Sequence, residues 1–87
     1  MQFHELKCDK DAFEEIKNGN KNFEYRKNDR NFKKGDFLVL HEYDPVKKEY
    51  IKTNGKVANI LVFVTYILYG PDYGIPKEYC VMSIAQR

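Results

Sequence analysis

The fold is decided by one stretch, Gly19-Asn20-Lys21-Asn22-Phe23-Glu24-Tyr25-Arg26-Lys27, which follows a short predicted helix and opens a predicted strand. Gly19 is suited to the left-handed conformation that ends a helix. Alternate side chains of a strand project from opposite faces, so positions 22, 24 and 26 share one face while Phe23 and Tyr25 share the other. We therefore expect the aromatic face to pack in a core. The charged face, with Lys21 at the strand entry, is the predicted site.

Length and composition predict a single domain over residues 1–87 with a modest hydrophobic core. Aromatic residues make up 15% of the chain and supply core volume, although 32% of the residues are charged. A net charge of +2 is too balanced for a strong nonspecific nucleic-acid binder. Segment 21–35 nevertheless holds six basic and two acidic residues, which predicts a local basic patch.

The cysteine and histidine pattern argues against several classes of protein. Cys8 and Cys80 lack C-x-x-C spacing, and the sequence has no signal peptide and no apolar run of about 18 residues. We therefore expect reduced thiols, a cytoplasmic location and no contact with a membrane. The two histidines, His4 and His41, add no ligand spacing, so neither a metal nor another cofactor is expected.

Periodicity and turn residues predict one helix over residues 9–18, capped by Asp9 or Asp11 and ended by Gly19. Strands are predicted over 3–7, 22–26, 37–43, 50–52, 56–69 and 78–84, and Phe32 is expected to anchor a loop. The long strand 56–69 is apolar at both parities, which predicts burial on both faces. The pattern fits an α+β, mainly β fold, a small β-barrel of about five to six strands with one packed helix, because closure removes open edges.

The motif Gly19-x-Lys21-x-x-Glu24-x-Arg26 resembles the G-x-K-x-x-E-x-R signature of the ASCH domain, a branch of the PUA-like superfamily. The stretch Phe32-Lys33-Lys34-Gly35-Asp36-Phe37-Leu38 is similar to the F-x-x-G-D-x-L stretch of that family. Essentially the whole chain resembles a small ASCH-related family of bacterial and phage proteins with no assigned function. The resemblance implies a PUA-like barrel with a cleft between barrel and helix, lined by the charged side chains of the motif.

The same resemblance implies two kinds of activity. ASCH domains have been proposed to bind RNA. Some small bacterial relatives are amidohydrolases that act on acylated cytidine, and their catalytic motif lysine carries over to Lys21. In those enzymes a threonine stands where this chain has Glu24. Their catalytic glutamate lies late in the chain, where Glu78 is a candidate by position alone.

Two functional hypotheses follow. In the first, Lys21 and Arg26 contact a phosphate or base edge of RNA or a nucleotide-like small molecule, and Glu24 accepts from an exocyclic amine or orients the arginine. A tyrosine such as Tyr25 or Tyr73 then stacks on a base. In the second, the chain is a small amidohydrolase with Lys21 catalytic and Glu24 relaying protons. Two other interpretations remain. Glu24 and Arg26 form a surface ion pair without a ligand, or the protein is an adaptor that binds another protein through an exposed barrel strand. The predicted ligand-binding residues are Lys7, Lys21, Glu24, Arg26, Lys27, Arg30 and Tyr73.

Overall fold

A curled sheet and one helix make up the fold in the computed structural model, which describes residues 1–86. The helix α1 covers Lys10–Lys17, and a 3₁₀ turn covers Asp72–Gly74. The strands are β1 (Phe3–Asp9), β2 (Phe23–Lys27), β3 (Phe37–Asp44), β4 (Glu49–Tyr50), β5 (Lys52–Thr53), β6 (Lys56–Val57), β7 (Asn59–Tyr69) and β8 (Tyr79–Gln86). The main sheet has the order β1-β3-β7-β8-β2 with β4 beside β3, and β5 and β6 form a separate hairpin.

The sheet is a half-barrel with an open seam. Its edges are β1, which pairs in parallel with β3, and β2, which pairs antiparallel with β8. Within residues 1–86 no backbone ladder joins these two edges. The expected mainly β fold with one helix is confirmed, whereas the closed barrel was wrong. The seam between β1 and β2 is the feature that positions the candidate site.

The core follows the period-two alternation that strands impose. Phe13 and Ile16 of α1 are buried within it. Phe32, with no exposed surface, confirms the predicted anchor under the loop that precedes β3. The strands contribute the inward residues Leu6, Cys8, Leu38, Leu40, Val62, Val64, Cys80, Met82 and Ile84.

The long strand β7 is shorter and more exposed than its sequence predicts. It begins at Asn59, because residues 56–57 form the separate strand β6. A turn at Asn54 and Gly55 brings β6 back to pair with β5. Only Val62 and Val64 are fully buried, so the expectation of burial on both faces was wrong. On the outer face of the sheet, apolar rings cover one another instead of a second layer of structure. The ring centroids of Phe37 and Phe63 lie 5.2 Å apart.

The ends of α1 confirm one prediction and contradict another. The residue at the N-cap is Asp9, but its side chain makes no capping hydrogen bond, so the predicted aspartate cap was wrong. Asp11 lies in the first turn instead, where a negative charge suits the helix dipole. At the other end the helix stops before Gly19, as predicted. No helix in residues 1–86 is both long enough and apolar enough to cross a membrane.

A buried polar pair fixes the turn that enters β3. His4 Nε2 lies 2.9 Å from Asp36 Oδ2, and both side chains are 6% exposed. The Asp36 carboxylate also accepts hydrogen bonds from the backbone N–H groups of Gln2 and Lys33, at 3.1 and 3.0 Å. Burial alone would raise the pKa of Asp36, but these hydrogen bonds outweigh it and lower the pKa below its ordinary value.

We expect Asp36→Asn to lower the free energy of unfolding by about 1–3 kcal/mol at pH 7, because buried donors lose a charged acceptor. A carboxyl whose pKa is lowered by folding stabilises the protein at pH values above its ordinary pKa, near 3.8. This contribution is lost as the pH falls through the lower native pKa. The difference between wild type and variant should therefore shrink as the pH falls below that value. Urea unfolding at a series of pH values measures it.

Asp72→Asn is the matched control, because Asp72 lies exposed in the 3₁₀ turn. Its free energy of unfolding should stay within about 0.5 kcal/mol of wild type. Equal effects of the two substitutions, or a difference that does not depend on pH, would contradict the structural role of Asp36.

Candidate functional site

The backbone turn that ends α1 directs the chain toward the seam. Gly19 has φ +80°, and its N–H donates to the Ile16 carbonyl at 3.0 Å, while the N–H of Asn20 donates to the Glu15 carbonyl at 2.9 Å. These two bonds form a Schellman motif, which requires a left-handed residue at this position. The Lys21 N–H adds a third bond, also to the Glu15 carbonyl, at 3.1 Å. Lys21 is consequently held at the entry to β2 by the backbone itself.

The faces of β2 are reversed relative to the expectation from hydropathy. Glu24 is 4% exposed, whereas Phe23 is 49% and Tyr25 is 50% exposed, so the aromatic face does not pack in the core. The reason is that β2 is the edge strand at the seam, where its inner face meets charged partners. On the outer side each ring finds a local neighbour: Phe23 lies 4.8 Å from the Lys21 ammonium, and Tyr25 stacks on Tyr79 with centroids 5.4 Å apart.

The Glu24 carboxylate joins the two cations of the motif. Its Oε1 accepts from Lys21 Nζ at 2.9 Å, and its Oε2 accepts from Arg26 Nε at 2.6 Å. The Glu24 side chain is 5% exposed, while those of Lys21 and Arg26 are 23% and 24% exposed. Lys21 also donates to the Phe23 carbonyl at 2.8 Å. Both carboxylate oxygens are therefore paired, as a buried charge requires.

Two arginines bridge the seam where backbone pairing is missing. Arg26 Nη2 donates to the carbonyl of Lys7 at 2.6 Å, and Arg30 Nη1 donates to the carbonyl of Glu5 at 3.1 Å. Both carbonyls belong to β1 and point toward the seam. The guanidinium groups thus satisfy backbone acceptors on an edge strand that would otherwise be open.

A cleft of about 530 Å³ lies along this seam. Residues 6–9 of β1, Ala12 of the helix, most of segment 21–30, Phe32 and Tyr79 line it. The lining contains more basic than acidic residues. The basic residues are Lys7, Lys21, Arg26, Lys27 and Arg30, and the acidic residues are Asp9, Glu24 and Asp29.

The structure brings together most of the predicted site residues but not all of them. Residues 21, 24, 26, 27 and 30 all line the cleft. Lys7 contributes its carbonyl to the seam, while its ammonium lies 4.7 Å from the ring centroid of Tyr43. Tyr73 lies in the 3₁₀ turn, 80% exposed and outside the cleft lining, and Glu78 is also exposed and outside it.

Tyr79 and Cys8 are among the lining residues that the sequence analysis did not assign to a site. Tyr79 stacks on Tyr25 at the cleft wall, because β2 and β8 pair with Lys27 opposite Tyr79. Cys8 lines the cleft and is 2% exposed. Burial first, and then the nearby charge of Glu24, raises the pKa of Cys8 to about 11, so this thiol is not a nucleophilic thiolate at neutral pH. Only the strand register, which local pattern does not reveal, could have placed Tyr79 here.

Comparison with known proteins gives a family match over nearly the whole chain. The family described as "Domain of unknown function (DUF3850)" matches residues 3–84, which include α1 and both strands of the seam. The chain is also similar to the "Uncharacterized 12.9 kDa protein in GpA 3'region" of Escherichia phage P2, with 43% identity over 42 residues. That alignment covers 48% of this chain and 38% of the phage protein, so the match spans well under half of the phage protein.

We expect Glu24→Gln to lower the free energy of unfolding by about 1–3 kcal/mol, because two cations lose their charged acceptor. The Nε–H resonance of Arg26 should shift as its 2.6 Å hydrogen bond to the carboxylate is lost. Urea unfolding and an NMR spectrum recorded on the arginine side chains measure the two effects.

Glu15→Gln provides the control, since Glu15 has an exposed side chain on α1. It should change the free energy of unfolding by less than about 0.5 kcal/mol. If Glu24→Gln is no more destabilising than this control, the carboxylate does not organise the site.

Proposed function

The chain belongs to the DUF3850 family, and from the geometry of its cleft we propose that it binds RNA or a nucleotide-like small molecule. The observation that carries the proposal is the buried Glu24 carboxylate, which holds an ammonium and a guanidinium together at one wall of the cleft. A built arrangement of this kind differs from a solvated surface pair, in which both partners are free to move.

The charges of the cleft suit an anionic ligand. Glu24 neutralises one of the two cations that it holds, and Lys27 and Arg30 add further positive charge to the lining. Within residues 1–86, the hydrogen bonds of Arg26 use Nε and Nη2, which leaves its Nη1 donors available to a ligand. Guanidinium and ammonium groups are the usual protein partners of phosphate oxygens.

Tyr25, on the outer side of β2, and its neighbour Tyr79 also line the cleft, and their rings supply a surface for a base. Tyr25 and Tyr79 stack with an interplanar angle of 24°, and Tyr25 is 50% exposed. Single-stranded nucleic acids are recognised largely by stacking of bases on aromatic rings beside a positively charged groove. A ring already stacked on its neighbour is fixed in orientation, so little side-chain entropy is lost when a base packs against it.

The fold supports a relationship to ASCH and PUA-like domains as part of this proposal. The observations that support this part of the proposal are the mainly β fold with one helix and the cleft lined by the charged residues of the G-x-K-x-x-E-x-R motif. On this interpretation the motif is a ligand-binding feature, in which the glycine stops the helix and the glutamate positions the two cations.

We expect uridine 5′-monophosphate and short RNA oligomers to shift the backbone NMR signals of segment 19–30. Lys21→Ala and Lys27→Ala should each weaken nucleotide binding roughly tenfold, the loss of one charged contact worth about 1.4 kcal/mol. Affinity should also fall as salt is raised, because phosphate contacts are screened. Fluorescence titration at two salt concentrations measures both effects.

Lys47→Ala is the control for this experiment, because Lys47 is exposed in the turn between β3 and β4, outside the cleft lining. Its nucleotide affinity should match that of wild type. Absence of signal shifts in segment 19–30 with every probe, or equal losses in all three variants, would refute the proposal.

Hydrolysis of acylated cytidine is the second candidate, favoured by the 2.9 Å contact between Lys21 Nζ and Glu24 inside the cleft. The reaction adds water across the bond between acyl carbon and nitrogen, giving the free amine and the carboxylic acid. A lysine and a carboxylate in contact are groups able to exchange protons with such a substrate.

If this candidate is correct, the wild-type protein should release cytidine from N4-acetylcytidine, and Lys21→Ala should lose that activity. Chromatography of the reaction mixture measures the product. Equal inactivity of the two proteins would end the hydrolase candidate for this substrate while leaving nucleotide binding to be judged by its own titration.

A further inference from the structure

A second recess lies on the outer face of the sheet, on the other side of β1 from the cleft. It has a volume of about 450 Å³ and opens between β1, β3, β4 and the β5–β6 hairpin. We call it the outer recess. Its lining residues are Glu5, His41, Tyr50, Val57 and Asn59.

The chemistry of the outer recess suits a planar heterocycle. Tyr50 is 41% exposed, and its ring lies nearly perpendicular to those of His41 and Tyr43, at 86° and 76°. His41 Nε2 lies 2.9 Å from Glu5 Oε1, and Asn59 adds an amide to the lining. Exposed aromatic surface beside groups that donate and accept hydrogen bonds is how proteins bind unpaired bases. The Glu5 carboxylate repels a phosphate, so a base fits this recess better than a phosphate does.

Strand β1 forms a wall of both recesses. The carbonyl of Lys7 accepts from Arg26 in the seam, while the Lys7 ammonium lies 4.7 Å from the ring centroid of Tyr43 on the outer face. Glu5 is shared in the same way, since its carbonyl accepts from Arg30 and its carboxylate lines the outer recess. The two recesses therefore share strand β1 as a common wall.

We propose that the ligand is a single-stranded oligonucleotide, with one nucleotide in the cleft and the base of a neighbouring nucleotide in the outer recess against Tyr50. The chain of the ligand crosses β1 at Lys7, whose exposed ammonium contacts the intervening phosphate. This inference rests on the proposed function. It adds to that function a second base site and a ligand longer than one nucleotide.

The experiment compares uridine 5′-monophosphate with tetrauridylate, and adenosine 5′-monophosphate with tetraadenylate, on three proteins. Wild type should bind the tetranucleotides at least tenfold more tightly than the mononucleotides. Tyr50→Ala should weaken tetranucleotide binding about tenfold, because stacking of one base on an aromatic ring contributes about that much to affinity. It should leave mononucleotide binding unchanged. Tyr66→Ala is the control, since Tyr66 is a tyrosine 59% exposed on β7, outside both recesses.

The outcomes separate this inference from the function on which it rests. Mononucleotide binding with shifts in segment 19–30, but without a gain for the tetranucleotides, would support the cleft and overturn the second base site. Equal losses for Tyr50→Ala and Tyr66→Ala would also overturn it. Failure of all four probes to bind wild type would overturn the proposed function and this inference together.

Discussion

A buried carboxylate is the constraint on which the candidate site depends. Glu24 is 4% exposed, and an ionised carboxylate in such a position is stable only when charged, hydrogen-bonded partners surround it. Lys21 reaches it from the helix stop, and Arg26 reaches it from the strand. Folding therefore fixes both cations in the cleft before any ligand binds. The geometry of the motif follows from the hydrogen bonds that the buried Glu24 carboxylate requires.

The seam and the proposed ligand are connected through the same arginines. Arg26 and Arg30 hold β1 near β2 through side-chain donors, in place of the backbone ladder that closes a barrel. An arginine can exchange such a contact for one with a phosphate while the sheet stays intact. The hydrogen bonds of a backbone ladder cannot be exchanged in this way without breaking the sheet. Under the proposed function, the half-barrel stays open because its two edges are joined by the groups that meet the ligand.

Sequence patterns predicted the features that depend on local rules. The stop at Gly19 follows from the backbone freedom of glycine, and burial of Phe32 follows from a lone aromatic residue in a polar loop. The predicted orientation of β2 was wrong because hydropathy favours burial of its aromatic face. Ion pairs with Lys21 and Arg26, which lie in the same stretch of sequence, make burial of Glu24 favourable instead. The place of Tyr79 beside Tyr25 was not predictable, since it depends on a register between strands far apart in sequence.

That register has a consequence for translation. Phe23 of β2 lies opposite Ser83 of β8, 60 positions further along the chain. Strand β1, helix α1 and strand β3 are synthesised well before this partner, and they pack against one another. A ribosome-bound chain that stops before β8 therefore has the helix and its glycine stop, but its second strand has no neighbour to pair with. The β2 wall of the cleft can therefore be completed only after β8 has been synthesised, because β8 is the strand with which β2 pairs.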